Sequence, residues 1–530
     1  MHKKLYERIK SLFLPCLVFS VITGFLSALL IIAFKILAEW VIHLSGTAYE
    51  AVRTRPLGLP LLVLCTALIG LMASLILSRT YSCRGGGIPS SVAAIKGMVS
   101  FRWIHGVILL PISALLTFLA GLPLGTEGPC VQMGTAVGDG VMKGFGKEKH
   151  RGWRRYIMTG GASAGFSIAT ASPISAIIFA MEELHKHFSP ILLSVASMSV
   201  ITAQITAKAF ASIGIVDMEF IKIFQMDALP LSRLFIPILL GVIIGVVSIF
   251  FTRLYHLVDR LMRIVLKKIS IKILFPVLFA AVSVIGYFFA DSLGSGHSLI
   301  HALFTRGAAW YLLILLFLVR AMGMMICNTS GATGGVFLPT LAFGAIIGAL
   351  CADAMISLGW IGEEYYVLLV MLGITAFLGA TSRIPLTACV FGVEALGGIY
   401  NILPMIIVTT VALLIVESSG LEDLTDKIID AKLHAITKGK TPHDVEVPLT
   451  VQHKAFVVGK ELRDVLWPNS CVVVSVTRAR TSKNHAVISE GDVITVRYVT
   501  YDPTATALEL KDLVGAQAED ITRTMLSETA

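Results

Sequence analysis

Charged residues are scarce in this chain, and apolar residues take their place. Of the 530 residues, 15% are charged and 55% are hydrophobic, and the mean hydropathy is +0.82. Soluble domains contain about a quarter charged residues. This composition therefore excludes an ordinary soluble protein and predicts a polytopic membrane protein.

The sequence also lacks the usual signatures of enzymes and metal centres. The eight cysteines form no CxxC pair, so we interpret them as packing residues. We find no P-loop, metal-ligand spacing or nucleophile–base arrangement, and we expect no catalytic residue, no metal and no cofactor. The net charge of +9 comes largely from basic residues at the ends of apolar segments. It therefore does not indicate a nucleic-acid partner.

Apolar runs long enough to cross a bilayer recur along the chain. A helix needs roughly 20 apolar residues to cross a hydrocarbon core of about 30 Å. Shorter runs broken by Gly or Pro are interpreted as half-spanning helices, which need protein or water to satisfy their backbone. The long candidates are residues 13–42, 58–77, 234–252, 273–290 and 311–325.

Basic residues predict the orientation of the chain in the membrane. The sequence begins MHKKLYERIK and contains no small-residue cleavage site after it. Because Lys and Arg concentrate on the cytoplasmic side, we expect cytoplasmic termini in a bacterial inner (plasma) membrane. A second basic cluster contains Lys143, Lys147, Lys149, Arg151, Arg154 and Arg155.

The chain repeats itself with a shift near 210 residues. Segments that begin at Gly125 and Gly335 share the pattern G-x3-P-x4-G-x3-G, and 335 minus 125 is 210. Duplicated membrane halves with interrupted helices are typical of transporters whose substrate site lies at the repeat interface. The further matches are Gly85-Gly-Gly87 with Gly294-Ser-Gly296, and Pro173, Phe179, Glu182 and Leu184 with Pro385, Phe391, Glu394 and Leu396.

The glycine motifs precede apolar helical stretches. The free N–H groups and the positive dipole end of a helix start attract anions, and Gly lets the backbone approach a ligand closely. The alternative role is close helix packing, which is common for small residues in membranes. The duplication favours a site for a small anion.

Glu127 lies between Gly125 and Gly128 in an otherwise uncharged stretch. A carboxylate inside a membrane is a functional candidate by default. An ionised Glu127 can occupy the place of an anion and leave it on protonation, which predicts a gate that also carries protons. The alternative is a buried carboxylate bonded to backbone N–H groups.

Glu183 is a second candidate proton carrier. Its neighbour Glu182 has a repeat counterpart in Glu394, whereas Glu183 is matched only by Ala395. An unpaired residue is more easily functional, so we favour Glu183 as an internal proton acceptor. The alternative is an interfacial carboxylate paired with Lys186 or water.

Three motifs resemble those of the CLC family of chloride channels and chloride/proton antiporters. GGGIP (85–89), GTEGP (125–129) and GVFLP (335–339) are similar in order and spacing to its GSGIP, GK/REGP and GxFxP. The resemblance covers roughly residues 10–435. It implies an all-α membrane domain of two inverted repeats, about 10–215 and 230–435, with tilted and half-spanning helices. It also implies a homodimer with one chloride pathway per subunit.

The resemblance assigns roles to individual residues. Glu127 resembles the external gating glutamate, and Glu183 resembles the internal proton glutamate of antiporters. Chloride/proton antiport is therefore expected, and the alternative is a passive voltage- or pH-gated chloride channel. The implied anion-binding residues are Gly85, Gly86, Gly87, Gly125, Gly128, Val336, Phe337 and Thr425.

Three departures from the family pattern affect this pathway. Gly86 stands where the family has a serine, which removes a hydroxyl donor. Thr425 aligns with its central tyrosine, and Thr126 replaces a basic residue. We expect weaker central binding and a wider inner constriction, which favours the channel alternative.

The membrane domain, residues 1–435, is followed by a polar linker at 436–444. Residues 445–502 carry β-branched runs and resemble TrkA-C regulatory domains, which implies a small α/β (β-rich) cytoplasmic domain and an unknown ligand. Residues 503–530 lack a clear apolar core pattern and are predicted to form a tail, either helical or disordered. Such domains are common on cation transporters, but helix N-termini argue against a cation pathway, which needs carbonyl oxygens.

Overall fold

The computed structural model describes residues 14–55, 57–99, 102–145, 152–216, 220–221, 226–305, 309–437, 443–453, 455–468, 471–479, 487–500 and 503–515. The basic N-terminal stretch, Lys147, Lys149 and Arg151 of the basic cluster, most of the predicted linker and the end of the predicted tail lie outside these residues.

Within the described residues, the membrane domain contains two sets of eight α-helices followed by one more. The first set is α1 Leu14–Arg53, α2 Gly58–Arg79, α3 Gly87–Ile95, α4 Leu110–Leu119, α5 Glu127–Gly144, α6 Arg154–Thr170, α7 Pro173–Phe179 and α8 Pro190–Ser212. The second set is α9 Phe235–Lys268, α10 Ile271–Phe288, α11 His297–Phe304, α12 Trp310–Ser330, α13 Phe337–Ser357, α14 Tyr366–Thr381, α15 Pro385–Glu394 and α16 Ile402–Ser418. Helix α17 is Leu424–Ile436.

Nine helices of the described part are long and apolar enough to cross a membrane. Each of the five predicted spans overlaps one of them, so the prediction of a polytopic helical membrane protein is confirmed. Short helices such as α3, α7 and α11 have seven to nine residues, too few to span a bilayer. They are the half-spanning helices that the glycine and proline interruptions predicted.

The two sets of helices follow the same order and the same spacing. Helices α5 and α13 begin at Glu127 and Phe337, and 337 minus 127 is 210. Helices α7 and α15 begin at Pro173 and Pro385, and 385 minus 173 is 212. The packing is repeated too, since α5 packs on α6 as α13 packs on α14, and α1 packs on α8 as α9 packs on α16. The predicted duplication is therefore a duplication of structure.

Each half of the membrane domain caps a helix of the other half with a glutamate at the equivalent position. Glu182 accepts hydrogen bonds from the first turn of α15, and Glu394 accepts them from the first turn of α7. Each carboxylate takes two backbone N–H groups and one hydroxyl. The donors are Leu386 and Thr387 for Glu182 and Ile174 and Ser175 for Glu394, at 2.7–3.0 Å. This reciprocal capping satisfies helix starts that have no intrahelical partner.

A three-stranded antiparallel sheet follows the membrane domain. Its strands are β1 His443–Thr450, β2 Cys471–Thr477 and β3 Val493–Thr500, in the order β1-β3-β2. Helix α18, Pro503–Val514, packs into the same core through Ala507, Leu510, Leu513 and Val514. The strand β1 thus begins inside the predicted linker, and the predicted tail supplies a helix that completes this small domain.

The small domain contacts the membrane domain at the start of α6. The rings of Trp153 and Phe456 meet edge to face with centroids 5.4 Å apart. The backbone N–H of Leu466 donates to the Tyr156 hydroxyl at 3.1 Å. Arg155 forms an ion pair with Glu509 of α18. These contacts fix the domain against the start of α6.

Candidate functional site

The duplicated glycine motifs pair with each other at the centre of the membrane domain. Gly125 and Gly335 exchange two N–H···O bonds of 2.7 Å each, forming an isolated antiparallel bridge. These residues are repeat equivalents, so the two halves join at matching positions. The bridge brings the first turns of α5 and α13 side by side.

The third motif packs against this bridge by backbone contact. A Cβ on Gly87 would overlap the carbonyl oxygen of Gly128. A Cβ on Gly128 would lie 2.8 Å from the Cα of Gly335. The glycines therefore do serve close packing, the alternative considered above, but this packing also assembles three helix starts. Helices α3, α5 and α13 begin at Gly87, Glu127 and Phe337.

Glu127 lies where these helix starts meet. Its side chain is 1% exposed, and Oε1 accepts a hydrogen bond from Thr126 Oγ1 at 3.1 Å. The carboxylate lies over Gly125, where any side chain would collide with Oε2. Within the described residues, Oε2 has no hydrogen-bond partner. A negative group thus occupies the region of helix starts, where the dipoles favour an anion.

Glu183 lines a cavity that also contains residues of the first and third glycine motifs. It belongs to a π-helical turn, Ala180–His185, that extends α7, and its side chain is 3% exposed. Thr425 Oγ1 donates to Oε1 at 2.5 Å, whereas Oε2 has no partner among the described residues. Lys186 forms its ion pairs with Asp423 at 2.7 Å and Asp426 at 2.6 Å. Lys186 is therefore paired with Asp423 and Asp426 and not with Glu183, as the alternative required.

The cavity joins several residues of the predicted anion pathway. Its volume is about 30 Å³, more than the 10–15 Å³ that one water needs. Glu183 and Thr425 face Val336 and Phe337 across it. The remaining lining residues are Ile88, Pro89, Phe179, Thr340, Ser382, Ile384, Leu424 and Ile428.

Gly85 and Gly86 do not line this cavity. They directly precede α3, which begins at Gly87. Gly85 has a positive φ of 74°, a conformation that favours glycine. Two polar side chains outside the motifs reach these glycines, Asn328 of α12 and Lys432 of α17. Neither was predicted, because a single polar residue in a helix carries no motif.

A metal site does not emerge from the described side chains, which contain no cluster of three or more His, Cys, Asp and Glu residues that could hold an ion.

Comparison with known proteins decides the family. The family model described as voltage gated chloride channel, CLC, matches residues 69–417, which is more than half of the chain. The chain belongs to the CLC family. The match contains all three glycine motifs, Glu127 and Glu183.

Curated relatives extend the likeness over most of the chain. The H(+)/Cl(-) exchange transporter ClcA of Yersinia pseudotuberculosis serotype IB is 29% identical over 427 residues, covering 78% of this chain and 87% of the relative. The transporter of the same name from Salmonella arizonae is 27% identical over 425 residues, covering 78% and 88%.

Solved structures share the fold. A slow cyanobacterial Cl-/H+ antiporter superposes with a TM-score of 0.72 at 23% identity, covering 79% of this chain and 98% of that one. A CLC-type fluoride/proton antiporter superposes with a TM-score of 0.59 at 21% identity, covering 76% and 95%. The expected CLC fold of the membrane domain is thereby confirmed.

Proposed function

We propose that this protein exchanges chloride for protons, with Glu127 as the external gate and proton carrier and Glu183 as the internal proton acceptor. The observation that carries the proposal is the position of the buried Glu127 carboxylate, beside the paired glycine motifs at the starts of α5 and α13. The exchange activity named for the ClcA relatives supports it.

The mechanism follows from competition at the helix starts. Ionised Glu127 satisfies the positive ends of α5 and α13 and blocks the path. Protonation removes its charge, so an anion replaces it beside the backbone N–H groups of Gly128, Val336 and Phe337. Since dipoles attract an anion without a full opposite charge, the anion can also leave. The close contacts of Gly87, Gly125 and Gly128 keep the three motifs near enough to share it, and Gly85 and Gly86 lead into α3 beside them.

Glu183 supplies the second half of the coupling. It faces a cavity shared with Val336, Phe337 and Thr425, so a proton and an anion approach the same region from the cytoplasmic side. Oε2 of Glu183 is unpaired among the described residues, which leaves it able to take a proton. The proton then has to reach Glu127 when the gate is open.

A passive CLC channel remains the second candidate, and a specific observation favours it. Gly86 has no side chain and Thr425 has a short one, so the inner constriction is built without the bulk of a tyrosine. A constriction that lacks these side chains would let anions pass without waiting for a proton. The channel candidate predicts anion flux that is independent of any proton gradient.

Reversal potentials distinguish the two candidates. The protein is reconstituted in liposomes under combined chloride and pH gradients. An antiporter reverses away from the chloride equilibrium potential, and the reversal potential shifts with the pH gradient. A potential that equals the chloride value at every pH gradient excludes the antiporter. Glu127→Gln should abolish proton movement and leave anion flux, and Glu422→Gln, an exposed carboxylate that pairs with Lys427, serves as the control.

Assembly and location are further parts of the proposal. We infer a homodimer in a bacterial inner membrane with cytoplasmic termini, as the family resemblance implies. Apolar side chains project from both repeat-related helices α8 and α16, where Ile205 is 65% and Leu403 48% exposed. Mass determination in detergent at several protein concentrations tests the dimer, and a monomer at all of them contradicts it.

The C-terminal domain is proposed to be TrkA-C-like and regulatory, with a ligand still to be identified. We place the membrane domain at 1–435, the linker at 436–444 and this domain at 445–502, with α18 from the tail completing its core. Its contact with Trp153 and Tyr156 links it to α6. Deletion of residues 438–530 preserves α17 and should change the transport rate. Unchanged rate and assembly would leave the domain without this role.

A further inference from the structure

The side-chain amide of Asn328 lies next to Gly86, on the side where a side chain of residue 86 would project. Asn328, near the end of α12, is 5% exposed, and its Nδ2 lies 3.3 Å from the point where a Cβ on Gly86 would stand. Within the described residues, Nδ2 has no hydrogen-bond acceptor. Buried donors are nearly always paired, so an unpaired one beside an ion pathway indicates a ligand as its acceptor.

A tyrosine fixes the direction of this amide. Tyr255 of α9 is 1% exposed, and its hydroxyl donates to Asn328 Oδ1 at 2.7 Å. Because Oδ1 accepts from the tyrosine, the NH₂ group of the amide is turned to the opposite side, toward Gly86. Tyr255 therefore acts as a positioning residue.

The surroundings of Gly86 connect the amide with the pathway and select the sign of the ligand. The Cβ position of Gly86 lies 3.7 Å from Cδ of Pro89, which also lines the cavity of Glu183 and Thr425. On the next residue, the Cβ position of Gly85 lies 3.9 Å from Nζ of Lys432. Lys432 Nζ already donates to Arg84 O at 2.8 Å and to Ser90 Oγ, so it contributes its positive charge, whereas Asn328 contributes an unpaired donor. Both favour an anion.

We propose that the side-chain amide of Asn328 binds the transported anion, replacing the serine hydroxyl that this chain lacks at Gly86. The proposal rests on the proposed function, since it assumes that an anion passes the start of α3. It departs from the expectation that the central site is weakened by losing its side-chain donor. A donor from α12 takes the place of one from α3, and the bare glycine leaves room for it.

Chloride binding to the purified full-length protein tests the assignment. Isothermal titration in detergent compares the wild type with Asn328→Ala and with the nearly isosteric Asn328→Asp. Loss of a hydrogen bond to a charged ligand should weaken chloride binding about tenfold in Asn328→Ala. Asn328→Asp should weaken it at least as much, because a carboxylate repels the anion. Tyr255→Phe, which only frees the amide to rotate, should weaken binding less than either.

A rescue and a matched control separate binding from folding. In the double variant Gly86→Ser, Asn328→Ala, the serine hydroxyl enters the space left by the amide and should restore most of the chloride affinity. Asn401 is also buried, but its amide is satisfied by Asp227 and Leu229 at 3.1 and 3.0 Å. Asn401→Ala should lower the unfolding temperature without changing the affinity.

The possible failures are distinguishable. If Asn328→Ala and Asn328→Asp bind chloride as the wild type does, and the wild type still exchanges chloride for protons, this inference is wrong and the proposed function stands. If the wild type neither binds chloride nor exchanges it in liposomes, the proposed function itself is wrong. If Asn328→Ala fails to fold, the affinity of folded Asn328→Asp decides.

Discussion

Thr425 and Glu183 share a hydrogen bond of 2.5 Å, in which the threonine hydroxyl donates to Oε1. One of these residues was predicted to line the anion constriction and the other to accept protons. They lie on α17 and on the extension of α7, 242 residues apart. The bond makes the anion cavity and the proposed proton acceptor a single structural unit.

Thr425→Val tests this unit. The variant retains the size of the side chain but leaves both oxygens of Glu183 without a protein partner among the described residues. A typical hydrogen bond contributes about 1 kcal/mol, so we expect proton-coupled chloride exchange to slow roughly fivefold. Proton uptake by liposomes under a chloride gradient measures it. Thr425→Ser retains the hydroxyl and should stay near the wild-type rate, and equal rates for Val and Ser would contradict the coupling.

The backbone contact between Gly87 and Gly128 predicts a strict requirement for glycine. In Gly87→Ala the new methyl group collides with a backbone carbonyl that belongs to α5 and cannot move alone. We expect the folded protein to disappear from size-exclusion profiles of detergent extracts. The matched control is Gly46→Ala in α1, where a Cβ has no other atom within 4 Å. Normal yield and a monodisperse peak for Gly87→Ala would show that the three motifs are less tightly joined.

Glu182 and Glu394 are predicted to contribute equally to stability. In Glu182→Gln or Glu394→Gln, an amide replaces the carboxylate that accepts from a helix start, so at least one N–H or hydroxyl loses its acceptor. We expect each change to lower the free energy of unfolding by about 1–3 kcal/mol. Thermal unfolding in detergent measures it, and Glu422→Gln, an exposed partner of Lys427, is the control. If only one of the two variants has a lower free energy of unfolding, the two caps are not equivalent.

The repeat made much of the membrane domain predictable. The shift of 210 in the sequence alone makes Gly125 the equivalent of Gly335, and in the structure these two residues are hydrogen-bonded to each other. Spans rich in Ala and Gly, such as Phe337–Ser357, were not recognised as crossing helices, although they are long enough. Small residues lower the apparent hydrophobicity of a segment, yet they are needed where helices pack backbone to backbone.

The polar contacts of the pathway were less predictable. Asn328 contacts Gly86 from a helix more than 240 positions further along the chain, and nothing in the sequence around either residue predicts this contact. The hydrogen bond of Thr425 to Glu183 depends on the tertiary approach of α17, which no local pattern encodes. For the predicted tail the sequence left a helix and disorder as alternatives, since Ala507, Leu510, Leu513 and Val514 of α18 form only a short apolar face.

Lys460 gives the contact between the two domains a predicted pH dependence. Its Nζ lies 3.4 Å from the ring centroid of Phe456 and 5.8 Å from that of Trp153, and the side chain is 6% exposed. Burial lowers the pKa of Lys460 to about 7, from 10.5. Between these values the unfolded chain binds more protons than the folded one, so stability should rise as the pH increases from about 7 to 10. Below pH 7 the lysine is charged in both states, so the folded protein bears the full cost of burying the charged ammonium.

Thermal unfolding of the full-length protein from pH 7 to pH 10 measures this effect. Lys460→Met replaces the ammonium with an apolar group of similar length, so its unfolding temperature should lack the rise that Lys460 contributes. The difference between Lys460→Met and the wild type should therefore be largest at pH 7 and shrink toward pH 10. Lys511 of α18 is exposed, and Lys511→Met should follow the wild type at every pH. A difference that stays constant from pH 7 to pH 10 would show that Lys460 keeps its proton at the contact, because its charge is then the same in both states across that range.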